Sequence, residues 1–444
     1  MIAFVKRIIH SAKTHQGFRR HFANISWMFV ERILRLIAGL FIGIWVTRYL
    51  GPSQFGLFSY AVAFAAIFSN IAKLGLDSIV VRDLVSEPAR RDIYMGTAFW
   101  LKLAGAIVTL SLIGIAMQFT ASDSTTKLYV FIIASGSIFQ AFEVVDFYFQ
   151  SQVLSKFVSI CKMTQLWISS MLKLYLIFIG ADLFWFVLVS LLDQVTLATS
   201  LYFAYRYQKI GTFFRSFDGV IAKKLLKDSW PLIFSALMIM IYIRIDQLMI
   251  KEMLDVSEVG IFSVAVAVSE IWYVIPTIIT TSLFPSIVNA KKNSQVMYLE
   301  RLQKLSTFMT WLAILIALAM TFLSDLVIGF LYGEAFIRAG AVLSIHIWSA
   351  VFVFLGLSSG LFLTVENYTK KSLYRLSLGA ISNILLNFIL IPRYGINGAA
   401  IATLLGQFVA NFLYDFFDPS LKPLVIIKMK ALFPIYCIWP KNTH

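Results

Sequence analysis

The chain has 444 residues, of which 59% are hydrophobic and 14% charged, and its mean hydropathy is +0.81. A soluble domain is closer to about half apolar and about a quarter charged, so this composition excludes an ordinary globular enzyme or binding module. A net charge of +15 would suit nucleic acid, but the lysines and arginines concentrate in every second connection, as membrane topology requires, and no nucleic-acid partner is expected.

Apolar runs of roughly 20 residues, the length that crosses a bilayer as a helix, recur from Phe22 to Phe417. The basic residues Lys6, Arg7, Lys13, Arg19 and Arg20 come first. The run after them is too long for a signal-peptide core, so no cleavable leader is expected. Twelve spans follow, at 25–46, 54–74, 93–118, 128–150, 163–180 and 184–205, then 230–251, 259–286, 305–323, 338–364, 374–391 and 396–417. The fold class is all-α: a polytopic membrane protein of twelve transmembrane helices. Lys and Arg gather in the N-terminus and in segments 73–91, 156–162, 206–227, 291–304, 370–375 and 422–441. The alternating connections carry little beyond Arg48, Lys127, Lys251, Arg338 and Arg393. That alternation places both termini in the cytoplasm.

The basic connector 206–229 divides the spans into an N-terminal bundle, 1–205, and a C-terminal bundle, 230–418, with a cytoplasmic or interfacial tail at 419–444. An internal repeat supports the division. Leu50-Gly51-Pro52-Ser53-Gln54-Phe55-Gly56-Leu57-Phe58-Ser59-Tyr60-Ala61-Val62-Ala63 aligns without a gap on Leu254-Asp255-Val256-Ser257-Glu258-Val259-Gly260-Ile261-Phe262-Ser263-Val264-Ala265-Val266-Ala267. Six spans are an even number, so the halves enter the membrane in the same sense and form a parallel pseudo-two-fold repeat. Pro276, in the eighth span, is a kink or hinge candidate.

Ionisable residues inside these spans carry the functional signal, because each costs a few kcal/mol or more in hydrocarbon unless it is paired or faces water. In span one, Glu31 and Arg35 have the spacing of a helical ion pair, and Arg32 shares a face with Arg35. Two guanidiniums on one face suit a phosphate or pyrophosphate, with snorkelling to the interface as the alternative. Span four carries Glu143 and Asp146, placed either to hold a proton or sodium ion or to neutralise the span-one arginines. Lys102 and Lys173 add positive charge to the first half, and Asp193 and Glu270 stand isolated as candidates for a coupling ion. Arg244 and Asp246 lie near mid-membrane, two residues apart, so each needs a partner on another helix. Asn383 and Asn387 are read as helix-to-helix bonds. Arg32, Arg35, Lys102, Lys173 and Arg244 are thus the candidate substrate-binding residues. Glu31, Glu143, Asp146, Asp193, Asp246 and Glu270 are the candidates for charge balance or ion coupling. No catalytic or metal motif occurs, and Cys161 and Cys437 read as small buried hydrophobes. The chain is therefore read as a non-enzyme without a cofactor.

Several segments resemble the Wzx-type polysaccharide flippases. They are Arg48-Tyr49-Leu50-Gly51-Pro52-Ser53-Gln54-Phe55-Gly56-Leu57-Phe58-Ser59-Tyr60-Ala61, Leu74-Gly75-Leu76-Asp77, Phe142-Glu143-Val144-Val145-Asp146-Phe147-Tyr148-Phe149-Gln150, Tyr242-Ile243-Arg244-Ile245-Asp246-Gln247-Leu248-Met249 and Ile391-Pro392-Arg393-Tyr394-Gly395-Ile396-Asn397-Gly398-Ala399-Ala400-Ile401-Ala402-Thr403. The resemblance implies the multidrug/oligosaccharidyl-lipid/polysaccharide exporter superfamily, with two six-helix bundles and alternating access. It implies a bacterial inner-membrane protein that flips undecaprenyl-pyrophosphate-linked oligosaccharide repeat units for O-antigen, lipopolysaccharide or capsule. The implied partners are membrane lipids, H+ or Na+, a polysaccharide polymerase and a chain-length regulator. The alternatives are a cation-coupled drug antiporter of the same superfamily and a membrane polymerase or ligase. The first wants an acidic cavity, which the cationic first half opposes. The second wants a large extracytoplasmic loop, which the short connections oppose.

Overall fold

The computed structural model describes residues 16–208 and 211–433; Lys6, Arg7, Lys13 and Cys437 lie outside the described residues. The regular elements among those residues are all helices. The helices are α1 (Gln16–Lys73), α2 (Asp77–Ser86), α3 (Arg91–Ala116), α4 (Ser124–Phe139), α5 (Val144–Ser151), α6 (Ser155–Phe178), α7 (Leu183–Tyr207) and α8 (Gly219–Met253). They continue with α9 (Val256–Ile271), α10 (Val274–Asn293), α11 (Gln295–Tyr332), α12 (Ala339–His346), α13 (Ser349–Val365), α14 (Thr369–Asn411) and α15 (Lys422–Leu432).

Among the described residues, nine helical stretches are long and apolar enough to cross a membrane. The difference from twelve has three sources. Stretch Glu31–Ser86 holds the first two predicted spans and Lys370–Phe417 the last two, each bent at a glycine with positive φ: Gly51 (φ 69°) and Gly395 (φ 59°). Helix α6 covers the fifth predicted span but carries Lys156, Lys162 and Lys173 and is not among the nine. The predicted span 259–286 is broken between α9 and α10, at Trp272 and Tyr273. Pro276 explains the break, since it has no N–H for the Trp272 carbonyl and its ring crowds that oxygen.

Large apolar side chains cover the outside. Phe119, Phe178, Phe322 and Phe330 are at least 78% exposed. In water such a surface would aggregate, whereas in lipid it is the ordinary exterior. The protein is a multi-pass membrane protein.

The described residues divide into two compact units, one from 16–49 and 64–237, the other from 50–63 and 238–433. In the first unit the connector is no free linker. Phe213 is fully buried in an aromatic cluster with Phe99 and Tyr205. Backbone oxygens of Phe213 and Ser216 press against α3 at Gly96, where an added β-carbon would lie 2.3 and 2.0 Å from them. From Gly219 onward the connector is already helix α8.

In the second unit the two copies of the sequence repeat meet. A β-carbon at Gly56 would lie 1.8 Å from the Val256 carbonyl oxygen, and one at Gly260 would lie 2.1 Å from that of Pro52. Gly56 aligns with Gly260 and Pro52 with Val256, so the contact is reciprocal, as a local two-fold requires. Two glycines let the backbones approach where any side chain would hold them apart.

Helix α14 folds into a hairpin about Gly395. Gly398 closes on the Leu390 carbonyl, Gly406 on Asn383 and Gly379 on Ala410. This hairpin brings positions 383, 387 and 403 to one place.

Candidate functional site

A cavity of about 720 Å³ lies within the second unit. Helix α8 contributes Arg244 and Asp246, α9 Glu270, α12 His346, and the hairpin of α14 contributes Arg375 and Thr403. Three charged residues singled out from the sequence, on two helices, therefore share one wall. Each lies in an apolar helix, and the cavity is a space that can hydrate it.

Asp246 is 3% exposed, and its partners are neutral. The Asn387 amide donates to Oδ1 and the Thr403 hydroxyl to Oδ2, each at 2.5 Å. Asn387 also donates to Asn383 Oδ1 at 3.2 Å, while Asn387 Oδ1 and Asn383 Nδ2 are left without partners. Asn387 bonds helix to helix, as expected, and its target is the acid, whereas Asn383 bonds Asn387 within the same helix. Arg244 does not ion-pair with Asp246; it lies within electrostatic reach of Glu270. The result is a buried carboxylate beside an unsatisfied amide oxygen and a hydroxyl. That set of oxygens suits a proton or a small hard cation. It is too sparse in His, Cys, Asp and Glu for a multivalent metal cluster, and none occurs among the described residues.

The first-unit candidates do not line this cavity. Arg35 bonds Glu31 at 2.7 Å, and Arg32 is exposed. Lys102 is 1% exposed and pairs with Glu143 at 2.7 Å, with Asp77 at 3.9 Å. Asp146 accepts from Gln150 at 2.8 Å and pairs with Lys162 at 3.0 Å. Lys173 pairs with Asp193 at 3.4 Å, so Asp193 is not isolated. The span-four carboxylates thus meet lysines, not the span-one arginines. Three of the four first-half cations carry a carboxylate partner, and the expected surplus of positive charge is largely cancelled locally. Charge alone therefore does not separate an anionic substrate from a cationic one. These pairs brace helices. Lys102→Met is expected to lower folding stability by about 3 kcal/mol, because Glu143 would be left without its cation. Adding Glu143→Gln is expected to restore most of the loss, read as folded protein recovered from membranes.

Sequence reading missed two cavity residues. Arg375 was grouped with the cytoplasmic cations 370–375, yet it is 4% exposed in the cavity wall. Its place one residue inside the predicted span 374–391 was the available signal. His346, 3% exposed with an unpartnered Nδ1, gave none, because one histidine in an apolar run has no spacing to read.

The model of the family described as polysaccharide biosynthesis protein matches residues 21–291, more than half of the chain. The chain belongs to that family. Among curated members of similar sequence is the capsular polysaccharide biosynthesis protein CapF of Staphylococcus aureus, 22% identical over 400 residues that cover 89% of this chain and 98% of the relative. The probable low-salt glycan biosynthesis flippase Agl15 of Haloferax volcanii is 26% identical over 388 residues, covering 85% and 79%. In fold, this family member resembles an inward-facing MATE multidrug resistance transporter of the MOP superfamily, with a TM-score of 0.68 at 13% identity, over 95% of this chain and all of that one. It also resembles the lipid II flippase MurJ in an inward closed conformation, with a TM-score of 0.66 at 17% identity, over 95% and 93%. The chain shares the fold of these two structures.

Proposed function

We propose that this chain is a flippase of polysaccharide biosynthesis, moving undecaprenyl-pyrophosphate-linked oligosaccharide repeat units from the cytoplasmic to the periplasmic leaflet of a bacterial inner membrane. Family membership supports the pathway. The observation that carries the transport reading is the cavity, a space walled mostly by apolar side chains with Arg244, Arg375, Asp246 and Glu270 set among them, inside an apolar exterior. The arginines attract the pyrophosphate or an acidic sugar. Asp246, with Asn387 and Thr403 around it, takes the coupling H+ or Na+. The first-unit pairs hold their bundle rigid while one bundle rocks against the other. Both termini are cytoplasmic, and the product serves capsule or O-antigen assembly with a polymerase and chain-length regulator.

The test is a deletion strain. Lipid-linked repeat units are expected to accumulate on the cytoplasmic face, with surface glycan lost and restored by the wild-type chain. Single repeat units at the surface would instead indicate a polymerase. Arg244→Ala at equal protein level is expected to lower surface glycan about tenfold or more, since a charge-assisted contact is worth about 1.5–3 kcal/mol. The cavity acids would also suit an organic cation. Unchanged surface glycan with raised drug sensitivity in the deletion strain would favour that second reading.

A further inference from the structure

Arg375 is poised for a ligand. Its Nη1 donates to the Ser359 hydroxyl at 3.0 Å, and among the described residues its Nε has no partner and no carboxylate is in ion-pair contact with it. A buried guanidinium without a counter-charge is costly, and its fork of donors fits two oxygens of one phosphate. The acid that acts on it electrostatically is Asp415, and Asp415 is engaged elsewhere. Asp415 Oδ2 pairs with Lys428 Nζ at 2.6 Å, both side chains being at most 2% exposed, and Lys428 also donates to the Asn411 carbonyl. Burial pushes the Lys428 ammonium down to about 8, with Asp415 pulling it back up.

Lys428 belongs to α15, the helix beyond the last predicted span. The helix is fixed in place, since Gln303 donates to the Ile427 carbonyl at 3.0 Å and Lys371 pairs with Asp418 at 2.8 Å just before it. Lys428 and Ser359, the partner of Arg375, line one narrow gap under α15. Asp415 therefore stands between two cations, from α14 and α15, and is bound to one of them. Its Oδ1 has no partner. Were Lys428 absent, Arg375, already within electrostatic reach, would be a positive charge open to this buried carboxylate.

We infer that α15, through Lys428, holds Asp415 off Arg375 and so keeps that guanidinium free to bind a phosphate or pyrophosphate oxyanion in the cavity. This rests on the flippase reading for the identity of the anion and adds a positioning pair, Asp415 with Lys428, that acts on Arg375. The C-terminal helix thereby becomes part of the substrate site.

The test uses the full chain in phosphatidylcholine nanodiscs, with ligand binding read as a shift in melting temperature. Inorganic pyrophosphate is titrated in one arm, and undecaprenyl pyrophosphate is supplied in the disc in the other. The wild type is expected to be stabilised in the lipid arm or in both. Arg375→Gln is expected to lose the shift, and Lys428→Met to weaken binding about tenfold or more. Asp415→Asn with Lys428→Met is expected to restore it, because no carboxylate remains to claim Arg375. Arg375→Gln and the double variant carry the test even where Lys428→Met fails to accumulate. A normal shift in Arg375→Gln, or no shift in a folded double variant, overturns the proposal, as does a wild type that responds in neither arm. Response to free pyrophosphate alone supports the oxyanion site while counting against a lipid-linked substrate. Surface glycan in the deletion strain tests the flippase reading separately.

Discussion

Asp246→Asn is expected to leave folded protein at or above the wild-type level and to abolish glycan transport. Asparagine keeps the shape and one acceptor oxygen for Asn387 or Thr403, so the packing of α8 against the α14 hairpin survives. What it removes is a carboxylate whose partners are two neutral groups. The penalty for an ion buried this way is several kcal/mol, and neutral hydrogen bonds return only part of it. Eliminating that penalty is expected to raise the melting temperature, or at the least not lower it. Transport behaves oppositely. If the carboxylate holds the coupling ion, a neutral amide loses about 3 kcal/mol of ion affinity, equivalent to about a hundredfold. The measurement pairs thermal melting of the purified variant with surface glycan in a complemented deletion strain. Higher stability with lost transport is the signature of a functional strain retained at a cost in stability. Wild-type glycan in Asp246→Asn would assign the acid to scaffolding.

Gly260→Ala is expected to be the most damaging single-methyl change in the second unit. The new β-carbon would sit 2.1 Å from the Pro52 carbonyl oxygen, and a backbone oxygen has no rotamer by which to escape. The two repeat segments must then separate by more than an ångström, opening the contact along α9. Overpacking of this kind costs about 3 kcal/mol. Gly56→Ala is expected to match it, since its β-carbon meets the Val256 carbonyl oxygen at 1.8 Å. The double variant is expected to cost little more than either single one, because one separation accommodates both methyls. Gly39→Ala, with nothing within 4 Å of its added carbon, serves as control and is expected to behave as wild type. Folded protein recovered from membranes and its melting temperature check all four. Additive losses would mean that the two contacts are independent and not a single reciprocal one.

Much of this architecture can be read along the chain. Apolar runs specify the helices, and the shared Leu, Gly, Phe and Ser of segments 50–63 and 254–267 announce a repeat whose glycines prove to touch. Arg244, Asp246 and Glu270 stand out because the cost of placing a charge in hydrocarbon is local, set by the roughly 20 residues around it. For the same reason their common wall was foreseeable as a polar interior.

Partnership was not foreseeable, because it depends on residues far away in sequence. Asp246 meets its partners 141 and 157 positions on, and only the turn at Gly395 places both beside it. Lys102 and Lys173 read as free cations until Glu143 and Asp193 are seen against them. Arg375 looked like a loop charge and Lys428 like part of a surface tail, since neither burial nor the competition for Asp415 leaves a periodic mark. The sequence by itself determined which groups hydrocarbon would penalise. The tertiary structure alone decided which of them were neutralised in place and which remained free to act, because an ion pair forms across space between helices that the chain order does not bring together.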